Sequence, residues 1–172
     1  MDSAHDNSFL ITNGWLAEEE AWLQNALLNA CELRSLPAGS FTHHVGDSSG
    51  AIHGIVSGGI GVLLPSRNLE LMLCHVLRPG LGFGHGPILT GKTRSLAFQA
   101  IEPSETAYVP YAALHKLNTE RPEARLRLAA LSERNFTFAI SIVGDLMITP
   151  SERRIAAVLL PDGLLLSERR TR

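Results

Sequence analysis

Between Cys31 and Tyr108, turn-forming residues interrupt the apolar runs about every eight to twelve positions. The runs between them, among them AIHGIV, IGVLL and LELMLCHVL, are short and rich in aliphatic residues. Short strands at that rhythm build an antiparallel sandwich or jelly roll. Ser57-Gly58-Gly59 and Pro65 to Asn68 read as hairpin connections, and Arg78-Pro79-Gly80 as a turn. The segments differ in length and in turn residues, so they are not internal repeats.

Helical periodicity flanks this region. Trp15, Trp22, Ala26, Leu27 and Ala30 recur among acidic residues and predict an amphipathic helix over 15–30, after a polar start read as frayed over 1–8. YAALHKLNTE, from Tyr111, predicts a short helix, and Arg121-Pro122 resets the chain. A long helix is expected over about 122–148. It carries two apolar stripes. Leu128, Leu131, Asn135, Phe138 and Ile142 follow the three-four spacing of a coiled-coil seam, with Asn135 as a polar register residue. Phe136, Ile140, Val143 and Met147 form the second. A helix apolar on two sides needs two covers. The β-region supplies one, and a second copy of the same helix is the simplest choice for the other; burial of both within one chain is the alternative. Thr149 to Glu152, TPSE, is a capping-box pattern with proline at the first helical position. It opens a last helix that stops at Pro161-Asp162-Gly163.

The expected class is therefore α+β, mainly β: an antiparallel β-roll or double-stranded jelly roll flanked by an N-terminal helix and a long C-terminal dimerisation helix. Its expected divisions are 1–121, 122–148 and 149–172. The 172 residues suit one domain with a sizeable core. A hydrophobic share of 45% and a charged share of 19% fit a soluble globular chain. Net charge of −2 creates no bulk field for nucleic acid. Two cysteines are too few for a disulfide framework or a four-thiolate cluster, and no apolar run is long enough to span a membrane. A cytoplasmic, non-membrane protein is expected.

The stretch GFGHGPILTGKTRS, Gly82 to Ser95, concentrates the chemistry. Its glycines let the backbone turn with positive φ or approach a ligand closely. Pro87 suits the first turn of a short helix, whose N–H groups attract anions. Arg94 could reach back across a tip at Gly91 and offer a fork to a phosphate, with Ser95 adding a hydroxyl. The spacing matches neither a Walker loop nor a dinucleotide fingerprint. A tight structural corner and a phosphate site both remain open on these residues alone.

The order of elements resembles the cyclic-nucleotide-binding domain, and most closely the catabolite-activator and fumarate-nitrate-regulator (Crp/Fnr) family of bacterial transcription regulators. The resemblance is carried by IVSGGIGVLL (55–64), LRPGLGFGHGPILTGKTRSLAFQAIE (77–102), VPYAALHKL (109–117) and the segments PEARLRL, GDLMI and RRIAAVLL within 122–160. It implies that Gly82 to Ser95 is the phosphate-binding cassette, with Phe83, Gly84, His85, Gly86, Arg94 and Ser95 as its candidate ligand-binding residues. The family's usual glutamate after Phe-Gly is His85 here, and an imidazole lacks a carboxylate's charge and two oxygens. Where cyclic-AMP-responsive members set threonine and serine against the purine, this chain has Ala139 and Ile140. Both departures predict loss of a conventional cyclic-AMP response, with Arg94 kept as an anion anchor and a different anionic or apolar effector, or no ligand, as what remains. Family regulators continue into a winged helix-turn-helix; only about a dozen residues follow Leu160, so DNA contact is expected only through a module this sequence lacks.

The resemblance implies a non-enzymatic effector-sensing and dimerisation domain, a homodimer through the long helix; no cofactor is expected, a cyclic nucleotide being doubtful, and the histidine spacing leads to no metal. A cupin-like metalloenzyme and a ligand-free dimerisation scaffold are the alternatives. Against the enzyme, His43 and His44 are adjacent and would point to opposite faces of a strand, and His53 and His85 lack evident partners. Cys74-His75 invites haem ligation, yet only one of two strand neighbours could serve; a core cysteine and a surface histidine are expected. Ser57 is expected to be a turn serine.

Overall fold

The strands alternate as the turn rhythm requires, and they close into two antiparallel layers. In the computed structural model, which describes residues 7–48, 50–66, 68, 70–148 and 151, the elements in chain order begin with α1 (Asn7–Thr12), a 3-10 turn (Leu16–Glu18) and α2 (Ala21–Ala30). Strands β1 (Glu32–Leu36), β2 (Phe41–His43), β3 (Ala51–Ser57), β4 (Ile60–Pro65), β5 (Leu71–Leu77) and β6 (Gly82–Phe83) follow. Then come α3 (Gly86–Thr90), β7 (Ala97–Ala100), β8 (Ser104–Pro110), α4 (Tyr111–Glu120) and α5 (Glu123–Leu146). One sheet has the order β1-β8-β3-β6 and the other β2-β7-β4-β5. This is the expected mainly-β roll with helices at its ends. The capping box at 149–152 and the helix and tail after it lie outside the described residues, apart from Ser151.

Of the two connections expected to be hairpins, one is and one is not. Pro65 to Asn68 does join an antiparallel pair, with Pro65 opposite Leu71. Ser57-Gly58-Gly59, expected to be a hairpin, instead carries the chain from one sheet to the other, since β3 and β4 do not pair. Gly58 adopts φ +81°, and Ser104 fastens the corner: its hydroxyl accepts from the Gly59 N–H at 3.0 Å and lies 2.8 Å from the Glu102 carbonyl. Ser57 itself is exposed at the strand end.

The helix expected over 15–30 is broken. Glu19 and Glu20 are extended, at ψ 159° and 145°, between the 3-10 turn and α2. That extended pair brings both carboxylates to Arg127 of α5, Glu19 at 3.7 Å and Glu20 in a closer ion pair. Trp15 is buried and its N–H donates to the Gly80 carbonyl at 3.2 Å, an anchor that a continuous helix would not make.

The chain divides into two units, 1–131 and 132–172. In the first, the core gathers Leu10, Leu16, Leu23 and Leu27 from the N-terminal helices with Ile52, Val109, Leu114, Leu128 and Leu131. Each fully buried Leu or Ile contributes about 1.5–3 kcal/mol of transfer free energy. Leu128 and Leu131, expected on the seam with a second copy, are thus 0% and 2% exposed within their own chain. The reason is local: Leu23, Leu27 and Leu114 already offer an apolar surface there, and the Arg127 ion pairs hold α5 against it. Further along α5, Asn135, Phe138 and Ile142 are half-buried, while Phe136, Ile140, Val143 and Met147 are 51–77% exposed. The open stripe is the second one, not the first. Among the described residues no helix is long and apolar enough to cross a membrane.

Candidate functional site

Strand β6 ends at Phe83, and the next residue turns the chain with φ +95°. A side chain on Gly84 would collide with the Ala51 carbonyl oxygen and come within 3.0 Å of His43 Nε2, so glycine is required for space as well as for angle. His85 then caps α3, Pro87 sits in its first turn, and Gly91 closes it in the left-handed conformation with its N–H on the Pro87 carbonyl at 2.8 Å. Gly91 was expected at a hairpin tip; it is instead the C-terminal stop of a one-turn helix, because a left-handed glycine ends a helix as readily as it turns a hairpin.

The stop at Gly91 sends the chain back so that Arg94 points inward. Its residue is 6% exposed. One guanidinium nitrogen donates to the Gly84 carbonyl at 3.0 Å and the other to the Ala51 carbonyl at 3.5 Å, whereas Nε has no partner among the described residues. The backbone is held too: Arg94 N–H donates to the Asp47 carbonyl and its carbonyl accepts from Gly46 N–H, both at 2.9 Å. Gly50, at φ +156°, lies under the guanidinium, where any side chain would meet Nη2. The arginine is therefore fixed at both ends, with neutral carbonyls as its acceptors.

Around it stand three buried imidazoles. His43 Nε2, His53 Nε2 and His85 Nδ1 are buried without hydrogen-bond partners among the described residues. His53 Nδ1 lies 3.1 Å from the Thr106 hydroxyl, which fixes that ring. Phe83 stacks on His53 at 4.9 Å and on Phe98 at 4.7 Å, while His43 meets His53 edge-on at 5.0 Å. Burial lowers the pKa of His43 to about 4, with the Arg94 charge adding to the effect. Burial and the same charge lower His85 to about 4. His53 falls to about 3, through burial first and then its neighbours His43, Arg34 and Arg94. All three are neutral at pH 7. Burial also pushes the Arg94 guanidinium below its usual range, with Asp47 opposing; it stays charged near neutrality. The result is one fixed positive charge with neutral, hydrogen-bond-capable nitrogens at its side.

Of the expected ligand residues, Gly84, His85 and Arg94 come together. Phe83 is 1% exposed and serves the core through its ring stacks. Gly86 and Ser95 are exposed at the edges of the loop. Ala139 and Ile140 are exposed residues of the second unit. Nothing in the sequence singles out His43, His53, Gly50 and Ala51 as neighbours of Arg94. The one available signal is alternation: His43 points inward and His44 outward, where it stacks on Phe41 at 4.5 Å.

At Cys74-His75 the burial is reversed from expectation, with Cys74 exposed and His75 half-buried. The pairing of β4 with β5 slips between Val62, opposite His75, and Leu63, opposite Leu73, so Cys74 falls at an irregularity that strict alternation does not anticipate. Among the described residues no three His, Cys, Asp or Glu side chains converge as metal ligands.

No family model and no curated protein sequence matches the chain. Solved structures do. A Ruegeria pomeroyi protein named for cyclic nucleotide binding superposes with a TM-score of 0.69 at 18% identity, covering 98% of this chain and 81% of its own. The Thermus thermophilus catabolite activator protein gives 0.62 at 22% identity, covering 77% and 62%. The c-di-GMP responsive global regulator CLP of Xanthomonas campestris gives 0.62 at 16% identity, covering 81% and 70%. The fold is that of cyclic-nucleotide-binding domains.

Proposed function

We propose that this chain is the effector-sensing and dimerisation domain of a Crp/Fnr-type transcription regulator, regulatory and not catalytic, and that its effector is a small anion other than cyclic AMP. The observation that carries this reading is Arg94: buried, charged, and among the described residues bonded through its side chain to carbonyls, with Nε unpartnered. A buried guanidinium whose hydrogen bonds go to neutral carbonyls, with Asp47 acting on it through charge alone, is costly, and an anion placed beside it offsets that cost. His85 in place of the family's glutamate, and Ala139-Ile140 in place of polar purine contacts, argue against a conventional cyclic-AMP response.

The dimer is proposed through the exposed stripe of α5. Phe136, Ile140, Val143 and Met147 repeat with four-three-four spacing, the knob positions of a two-stranded coil, and a C2 pair would cover the same stripe on both copies. Residue 140 thereby moves from the ligand-facing role that the resemblance implies to an interface role.

Thermal-shift and calorimetric titration with cyclic AMP, cyclic GMP, c-di-GMP and inorganic phosphate test the sensing half. Stabilisation is expected from an anion other than cyclic AMP, and Arg94→Met should remove it. Silence from every anion, or an unchanged response in Arg94→Met, overturns the sensing half and leaves the scaffold reading.

A further inference from the structure

Away from Arg94, a groove of about 510 Å³ runs between α3, α4 and the first turn of α5. That volume lies in the usual range for small-molecule sites, about 300–1,000 Å³. Ile88 and Leu89 of α3 line it and are half-buried against the core. Tyr111 and His115, one helical turn apart on α4, add a ring pair with centroids 6.2 Å apart. Asn118, a further turn along in three-four spacing, contributes a buried Oδ1 with no hydrogen-bond partner among the described residues.

Arg125 supplies the charge. Its Nη2 donates to the Leu89 carbonyl at 2.9 Å, and it forms no ion pair among the described residues. Among the described residues no carboxylate lines the groove. The two nearest in sequence are engaged elsewhere, Glu120 with Lys116 at 3.7 Å and Glu123 with Arg121 at 3.9 Å. A guanidinium facing a concave wall without a counter-charge selects an anion, and its fork suits a carboxylate. Rings and aliphatic side chains select a flat apolar body. The unpaired amide oxygen of Asn118 selects a donor on that body.

We propose that this groove is a second small-molecule site, for an aromatic carboxylate that carries a hydroxyl or amino donor. Its occupant would touch both ends of the Arg125–Leu89 bond and so bear on α3, the helix between Gly84 and Arg94. The site does not depend on the effector reading of Arg94, because it shares no residue with that cluster.

The probe is 4-hydroxybenzoate, titrated into the full chain by calorimetry and followed by amide shift mapping. Saturable binding is expected, with shifts centred on Leu89, His115 and Asn118. The neutral isostere 4-hydroxybenzamide should bind about 10- to 100-fold more weakly, as should the acid to Arg125→Met, while Arg125→Lys keeps part of the affinity. The acid–amide comparison needs no variant, so it stands even if Arg125→Met does not fold. Absence of saturable binding, equal binding of acid and amide, or shifts centred on Gly84 and Arg94 would each overturn the proposal.

Discussion

At Gly84 the backbone angle and the nearby Ala51 carbonyl exclude a side chain together, whereas Gly86, two residues on, has open space and a helical angle. Gly84→Ala should therefore cost about 1–3 kcal/mol from the backbone conformation alone, and more from the collision. Gly86→Ala should be neutral or stabilise by up to about 1 kcal/mol. Urea denaturation of the pair checks both, and a similar loss in the two variants would contradict the geometry. From the residues alone these glycines look alike. The difference comes from what lies opposite, the strand that begins at Ala51, which is far away in the sequence and carries no mark in the local pattern. Arg94 was legible as an anion fork from its place in the glycine stretch, and His85 as its neighbour through the family resemblance; His43 and His53 were not, because a strand histidine reads the same whether it meets water or a guanidinium.

Helix α5 shows how far periodicity reaches. Its presence and nearly its limits follow from the three-four spacing, 122–148 expected against Glu123–Leu146 found. Which stripe faces inward does not, since both stripes repeat equally well and the choice is made by Leu23, Leu27 and Leu114. The two stripes should separate in experiment. Leu128→Ala should lower unfolding stability by about 2–5 kcal/mol at any protein concentration. Ile140→Asp should leave that stability nearly intact and shift a dimer toward monomer in light scattering, because it charges an exposed knob position. A dimer untouched by Ile140→Asp would exclude this stripe as the interface. The same limit of pattern reading appears in β5, where alternation fails at Cys74 because the pairing slips.

Across the molecule, the turn rhythm was sufficient for two antiparallel layers but not for the corner at Gly58-Gly59, which a hairpin and a sheet-to-sheet crossing encode with the same residues. The interior has a further collective property. His43, His53 and His85 stay neutral to about pH 4, 3 and 4 in the folded chain, whereas the unfolded chain protonates them near 6.5. The unfolded state thus holds more protons through this window, so stability rises with pH and is lost on acidification from about 6.5 downward. Each histidine contributes a slope of about 1.4 kcal/mol per pH unit. Melting curves between pH 7.5 and 5 should show it, and His85→Leu should remove about one third of the slope; a flat profile would mean that the imidazoles are hydrated. Finally, Arg94 lends both its amide and its carbonyl to Gly46 and Asp47, next to Val45, which is 42% exposed. Anything that displaces the guanidinium from within must tug this outer segment, so a fluorophore attached at Val45→Cys in a Cys74→Ser background would turn a hidden event into an optical signal.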